Sequence, residues 1–133
     1  MARNFKPKVG VQAPKTPRRG EVWLAVDRDK NHNGRDEDRE FEDNVTGGTR
    51  TCIVVSNDKG NKYSPNVEVV FTTKQNKAKL PTHFTTYTTP IPSTVLCEEI
   101  GTISKKNLVQ YYGKLPKSEL DELDECLRIS IGL

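Results

Sequence analysis

The chain has 133 residues, which suits one domain, and only 33% of them are hydrophobic, so the core is small or part of the chain lies outside it. No apolar run approaches the roughly 18 residues of a membrane-spanning helix, and no apolar stretch follows the basic N-terminus, so neither a helical membrane protein nor a secreted precursor is expected. The net charge of +3 combines a basic segment at residues 1–19 with an acidic one at residues 27–43. A basic tail can bind a polyanion, but the prolines and glycines of residues 1–20 favour a solvated, disordered tail over residues 1–18.

Four stretches rich in β-branched residues are predicted to be strands. They are residues 20–26, 51–57, 67–73 and 93–104. The charged segment 27–46 and the turn-forming segment 57–66 connect the first three, and the chain becomes extended again from His83. Gly101 is expected to make a bend or bulge in the last strand.

Two helices are predicted after these strands. Ser104 can cap a short helix that ends at Gly113. The segment "KSELDELDECLRISIGL" is the long helical signal, with Ser118 as its N-cap and Asp124 able to pair with Arg128 one turn later. One face of this helix carries Leu120, Leu123 and Leu127. The fold class is therefore predicted as mainly β, a small antiparallel barrel with a C-terminal helix.

The three cysteines point to buried thiols. Cys52 and Cys97 sit in apolar runs, and the odd count with Cys126 is typical of a reducing cytoplasm. A structural zinc site is not expected, since neither of the two histidines has ligand spacing to a cysteine.

The segment "DKNHNGRDEDRE" at residues 29–40 has the ligand spacing of a calcium-binding EF-hand loop. Its context argues against such a site, because neither flank is helical, only one copy is present, and Asp36 takes a position that is normally apolar. A long solvated loop between two strands is the alternative interpretation.

Four stretches in linear order carry a more specific pattern. They are "RGEVWLAV", "GGTRTCIVVSNDKGNKYSPNVEVVFTT", "KAKLPTHF" and "STVLCEEIGTISKKNLVQYYGKL", and the chain ends in "LDECLRISIGL". This series resembles the MazF/PemK family of type II toxin–antitoxin endoribonucleases over residues 19–26 and most of 47–133. The resemblance implies a single domain over residues 19–133, with an acidic insertion at residues 27–46 that we hypothesise to be a lid competing with RNA.

The resemblance also implies an SH3-like barrel that acts as a homodimer in the cytoplasm. It implies an mRNA interferase that cleaves single-stranded RNA at short sequences without a metal or other cofactor, and that is bound by a cognate antitoxin protein. The family's catalytic arginine falls on Arg50 and its catalytic threonine on Thr72.

The chemistry of Arg50 and Thr72 suits this reaction. In metal-free cleavage the ribose 2′-OH attacks the adjacent phosphorus, and a guanidinium offers a planar set of donors to the phosphorane oxygens. Thr72 can bond the 2′-OH or a phosphate oxygen, but a threonine is a weak base by itself. His83 is a candidate base, although a histidine in a Pro-Thr-His loop is more often a structural or binding group.

Further residues are predicted to bind RNA through phosphate contacts, base edges or close backbone approach. They are Gly47, Gly48, Asn57, Lys74, Lys77, Lys79, His83, Glu98 and Glu99. Where the family often has a neutral amide the chain has Glu99, and Gly101 replaces the family's arginine, so the RNA sequence preference is open. The alternative function is a non-enzymatic relative on the same barrel, either a gyrase-poisoning toxin or an inactive antitoxin-binding module.

Overall fold

The computed structural model describes residue 14 and residues 16–26, 48–75 and 79–133. Six strands and two helices follow one another there. They are β1 (Glu21–Val26), β2 (Thr49–Val54), α1 (Asp58–Tyr63), β3 (Asn66–Thr73), β4 (His83–Thr86), β5 (Ser93–Ser104), β6 (Leu108–Lys114) and α2 (Lys117–Ile131), with a 3-10 turn at Lys105–Asn107. Most of the predicted tail and the charged segment 27–46, with its calcium-like loop and hypothesised lid, lie outside the described residues.

The six strands form one antiparallel sheet in the order β4-β5-β3-β2-β1-β6. The sheet curls into a half-barrel, and the edge strands β4 and β6 share no ladder in the described part of the chain. The predicted fold class, mainly antiparallel β with a C-terminal helix, is confirmed.

Apolar side chains lie on both faces of the sheet, because strand residues alternate between faces. One cluster packs beneath α2 and contains Val22, Ile53, Val70, Phe84, Val95, Cys97, Leu115, Leu123 and Cys126. The other lies on the opposite face and contains Trp23, Ala25, Cys52, Val54, Val67 and Val69, with Phe71 and Tyr111 packed against it. The curl therefore buries a core on each side of β1, β2 and β3.

Helix α2 closes the first of these clusters. Leu123 is fully buried, and Leu120 and Leu127 are half-buried against the cluster, as their shared face predicts. The buried carboxylate of Glu119 accepts hydrogen bonds from the Thr86 hydroxyl (2.6 Å) and the Tyr87 main-chain N–H (3.0 Å). This contact ties the helix to the end of β4.

The three cysteines are free and buried, as predicted. Burial raises the pKa of the Cys52 and Cys97 thiols to about 12, so neither carries a thiolate at neutral pH.

In the described ranges no helix has the length and apolarity that a membrane crossing requires.

The predicted helix over residues 105–113 is wrong. Only a 3-10 turn forms, and Ser104 makes no side-chain cap. The chain then continues as β6, which pairs with β1 and sets the Tyr111 ring 5.2 Å from the Trp23 ring. Pairing with β1 overrides the local helix signal, and the β-forming aromatic residues of β6 agree with the strand.

Smaller predictions also need correction. Helix α2 has Pro116 rather than Ser118 at its N-cap. The carboxylate of Asp124 pairs with Arg19 at 2.9 Å instead of Arg128, which contacts Glu125. Asp124 therefore pairs with Arg19, which is distant in the chain, and not with Arg128 on its own helix.

The turn-forming segment 57–66 contains the short helix α1. Asn57 caps it, since its side-chain oxygen accepts a 2.7 Å hydrogen bond from the Gly60 N–H.

The bulge predicted at Gly101 lies instead at residues 97–99 of β5. Gly101 keeps its ladder pair with Val69, and a Cβ there would sit 3.0 Å from the Phe71 ring, so the absence of a side chain lets this ring pack closely against β5.

Candidate active site

Arg50 lies near the start of β2, opposite Ala25 of β1. Its Nη2 donates a 3.3 Å hydrogen bond to the main-chain carbonyl of Thr72, near the end of β3. Its guanidinium carbon lies 4.6 Å from the centre of the Phe71 ring, a cation–π contact. The side chain remains 44% exposed, so the guanidinium is held from below and open to solvent above.

A bulge in β5 carries two carboxylates, and one of them contacts this arginine. Val70 pairs with Ile100 and Phe71 with Leu96, so the three β5 residues between those partners have no counterpart on β3. Bulges re-aim side chains in this way, and they are common beside functional sites. Oε1 of Glu99, one of the bulged residues, lies 3.2 Å from Nη1 of Arg50.

Thr72 presents its carbonyl rather than its hydroxyl to Arg50. The residue is 7% exposed, and its Oγ1 donates a long 3.5 Å hydrogen bond to the main-chain carbonyl of Thr51. The structure therefore brings the two residues together through the main-chain oxygen of the threonine. The predicted catalytic role of its hydroxyl stays a prediction.

Glu98, also in the bulge, is held by two neighbours. Nε2 of His83 lies 2.9 Å from its Oε2, and the Thr82 hydroxyl donates a 2.7 Å hydrogen bond to its Oε1. Burial raises the pKa of the Glu98 carboxyl, but the hydrogen bonds from His83 and Thr82 outweigh that effect, so the pKa lies below its ordinary value. The His83 side chain is only 5% exposed, which places it beneath Glu98 rather than at the surface.

The remaining predicted residues divide by position. Lys74 directly follows β3, Lys79 precedes β4, and both are exposed. Gly48 has a φ of +100°, a left-handed conformation that favours glycine, just before β2. Asn57 lies beyond the opposite end of β2, separated from Arg50 by about 13 Å of strand or more. Gly47 and Lys77 lie outside the described residues.

Phe71 is the site residue that sequence reasoning missed. Its ring supports the Arg50 guanidinium, and the signal that could have found it is its place directly before Thr72 on a predicted strand. Across the described ranges, no group of three or more His, Cys, Asp or Glu side chains is arranged to hold a metal ion. The chemistry available at the site is that of an anchored, solvent-facing guanidinium, which suits an oxyanion.

A protein-family model matches nearly all of the chain that follows the N-terminal tail. The model of the PemK-like, MazF-like toxins of type II toxin–antitoxin systems matches residues 18–131. The chain belongs to this family. The match contains the Arg50 site, α2 and all six strands of the MazF-like fold, and it confirms the resemblance found in the sequence.

Solved structures of MazF-like proteins share the fold at low sequence identity. An endoribonuclease in complex with its cognate antitoxin, from a mycobacterial species, has a TM-score of 0.68 at 21% identity, covering 88% of this chain and 96% of that one. Toxin MazF-mt6 of Mycobacterium tuberculosis has a TM-score of 0.64 at 18% identity, with 85% and 97% covered. MazF from Deinococcus radiodurans has a TM-score of 0.65 at 18% identity, with 90% and 100% covered.

Proposed function

We propose that this MazF-like toxin is an endoribonuclease that cleaves single-stranded RNA, with mRNA as the cellular target in the cytoplasm. Family membership and the endoribonucleases among the solved structures support the reaction class. The observation that carries the proposal is the Arg50 guanidinium, held by the Phe71 ring and the Thr72 carbonyl and open to solvent. The proposed chemistry needs no metal ion, because the guanidinium supplies the positive charge.

In the proposed reaction the ribose 2′-oxygen attacks the adjacent phosphorus and loses its proton. The bond from phosphorus to the 5′-oxygen breaks, which leaves a 2′,3′-cyclic phosphate and a 5′-OH end after that oxygen takes a proton. Arg50 stabilises the charge that develops on the phosphorane oxygens. Preorganised donors of this kind contribute roughly 3–4 kcal/mol of transition-state stabilisation.

The preorganisation follows from the contacts of the guanidinium. One N–H group is fixed by the Thr72 carbonyl and another faces Glu99, which leaves the others for phosphate oxygens. The Phe71 ring and the Thr72 carbonyl together restrict the position of the guanidinium, so less freedom remains to be lost when phosphate binds. Thr72 is proposed to contact the 2′-OH or a phosphate oxygen once the substrate is in place.

The test is RNA cleavage in EDTA by the wild-type protein, with Arg50→Ala and the charge-preserving Arg50→Lys beside it. We expect discrete cuts with 5′-OH ends for the wild type and a loss of 10²-fold or more, about 2.7 kcal/mol, for Arg50→Ala. Arg50→Lys should remain strongly impaired, because an ammonium lacks the planar fork. Absence of cuts in several long RNAs would instead favour a binding module, with gyrase and a co-encoded antitoxin tested next.

The proposed partners are a cognate antitoxin and a second copy of the chain. An antitoxin is present in the mycobacterial complex with the related fold. For the second copy we propose a groove of about 510 Å³ between the sheet and α2. Polar and charged residues make up half of its lining, and the apolar half is Val55, Ile100, Leu127, Ile131 and Leu133. Ile100, Ile131 and Leu133 are exposed there, and contiguous exposed apolar side chains mark interaction surfaces.

A further inference from the structure

Three threonines form a row across neighbouring strands of the sheet. Thr73 of β3 pairs with Thr94 of β5, and Thr94 pairs on its other side with Thr85 of β4. Directly opposite residues in an antiparallel sheet project from the same face, with neighbouring strands about 4.8 Å apart. The three side chains therefore share one face and span about 10 Å from β3 to the β4 edge.

This row continues from Arg50. The β2–β3 ladder pairs Cys52 with Phe71, and the same register carried two residues further brings Arg50 level with Thr73. Arg50 and Thr73 lie on the face of Phe71, since strand residues two apart share a face and the Phe71 ring contacts the guanidinium. The threonine row, defined as Thr73, Thr94 and Thr85, thus begins beside the arginine and ends at an open sheet edge.

The hydroxyls of the threonine row are available to a ligand. Thr73 and Thr94 are half-buried and Thr85 is exposed. The Thr73 hydroxyl oxygen accepts from the Gln75 N–H, which leaves its own proton free to donate. Among the residues that the structure describes, the Thr94 and Thr85 hydroxyls have no hydrogen-bond partner.

The other threonines of the same region are used by the protein itself. Thr86 and Thr88 donate to the Glu119 carboxylate, and Thr89 donates to the Ile91 carbonyl. Thr102, later in β5, bonds the Glu68 carboxylate. The Thr85 and Thr94 hydroxyls are therefore distinguished from these neighbours, because no internal hydrogen bond in the described residues accounts for them.

We propose that the threonine row is a subsite for the phosphate groups of single-stranded RNA that flank the phosphate at Arg50. The inference rests on the proposed function and names the path of the substrate away from the cleaved bond. Hydroxyls donate to phosphate oxygens without reading the base, so the row fixes the strand's position and leaves sequence preference to other residues. The exposed Lys74, directly after Thr73, adds positive charge beside it.

The test variant is the double substitution Thr85→Val and Thr94→Val, which keeps shape and β-propensity and removes only the two unused hydroxyls. The matched control is Thr102→Val, the same change on the same strand at a position where the hydroxyl bonds Glu68. The probes are degenerate pools of 2′-fluoro RNA, 2 and 20 nucleotides long, which cannot be cleaved. Binding is measured by fluorescence anisotropy at two salt concentrations.

We expect the double variant to weaken binding of the 20-nucleotide pool by about 5- to 10-fold and of the 2-nucleotide pool, whose single phosphate cannot fill the Arg50 site and the row together, by less than 2-fold. The salt dependence should not change, because no charge is removed. Equal affinity of wild type and double variant for the longer pool would overturn the subsite, as would weakening to the same degree in Thr102→Val. Cleavage by the wild type is scored separately, so loss of the proposed activity and loss of the subsite give different results.

Discussion

Nη1 of Arg50 lies 3.2 Å from Oε1 of Glu99, and both side chains are close to half exposed. Such exposed pairs contribute only about 0–1 kcal/mol to stability, so the contact matters chiefly for what it does to an incoming phosphate. A carboxylate at that position repels the phosphate and occupies one donor of the guanidinium.

Glu99→Gln should therefore bind RNA more tightly. We expect KM to fall about threefold and the dependence of KM on salt to become steeper, because one negative charge leaves the site. KM and kcat measured at two salt concentrations test this. Glu125→Gln removes the same charge from the exposed surface of α2 and serves as the control. A loss of kcat in Glu99→Gln would show instead that the carboxylate orients Arg50 for the reaction.

Thr72→Val distinguishes the role of the Thr72 hydroxyl from that of its main-chain carbonyl. The carbonyl that holds Arg50 is retained, and the hydroxyl, with its long contact to Thr51, is lost. If the hydroxyl contacts the substrate, kcat falls about tenfold, the value of one hydrogen bond, while thermal stability changes little. Thr72→Ser should restore most of the rate. Wild-type kcat in Thr72→Val would limit the role of Thr72 to its main chain.

Glu98 gives the protein an acid-sensitive contribution to stability. Its pKa in the folded state lies below the ordinary value of 4.5, so its carboxylate stabilises the fold above about pH 4.5 and this contribution is lost as the pH falls through the lowered pKa. Glu98→Gln should lower Tm at pH 7, and the difference in Tm between this variant and the wild type should shrink at low pH. Thermal melts of both proteins from pH 3 to pH 7 measure the difference. A constant difference in Tm across that range would contradict the assignment.

Glu119 joins α2 to the end of β4, and its loss should destabilise the fold. In Glu119→Ala the Thr86 hydroxyl and the Tyr87 N–H lose their acceptor in a buried setting, at about 1–3 kcal/mol for each donor left unsatisfied. We expect the free energy of unfolding in urea to fall by roughly 3 kcal/mol. Glu122→Ala, at an exposed position of the same helix, should change it by less than about 0.5 kcal/mol. Equal effects from the two variants would rule out the proposed tie.

The groove beside α2 makes a prediction about assembly. Ile131→Lys places a charge in the proposed contact with a second copy, so the dimer should dissociate at concentrations where the wild type is dimeric. Ile129→Lys is the matched control, because Ile129 is also exposed near the end of α2 and does not line the groove. Sedimentation velocity distinguishes the species. Dissociation by both variants alike, or by neither, would place the interface elsewhere.

The sequence predicted most of the strands because their apolar and β-branched residues carry the signal locally. The strands observed at Glu21–Val26, Asn66–Thr73 and Ser93–Ser104 lie within about one residue of the predicted ones. The segment after Ser104 was misassigned, since its placement as β6 depends on pairing with β1, which is distant in the chain. The same reason explains Asp124, which contacts Arg19 rather than a neighbour on its own helix.

The sequence by itself determined the family, the class of fold and the identity of Arg50 and Thr72 as the residues to examine, because linear motifs preserve residue types in order. Only the tertiary structure decided how these residues meet. The Thr72 carbonyl, the Phe71 ring and the bulge that carries Glu99 come from β3 and β5, and their approach to Arg50 is set by strand register. Register depends on long-range pairing and on which face is buried, and neither can be read from a single strand.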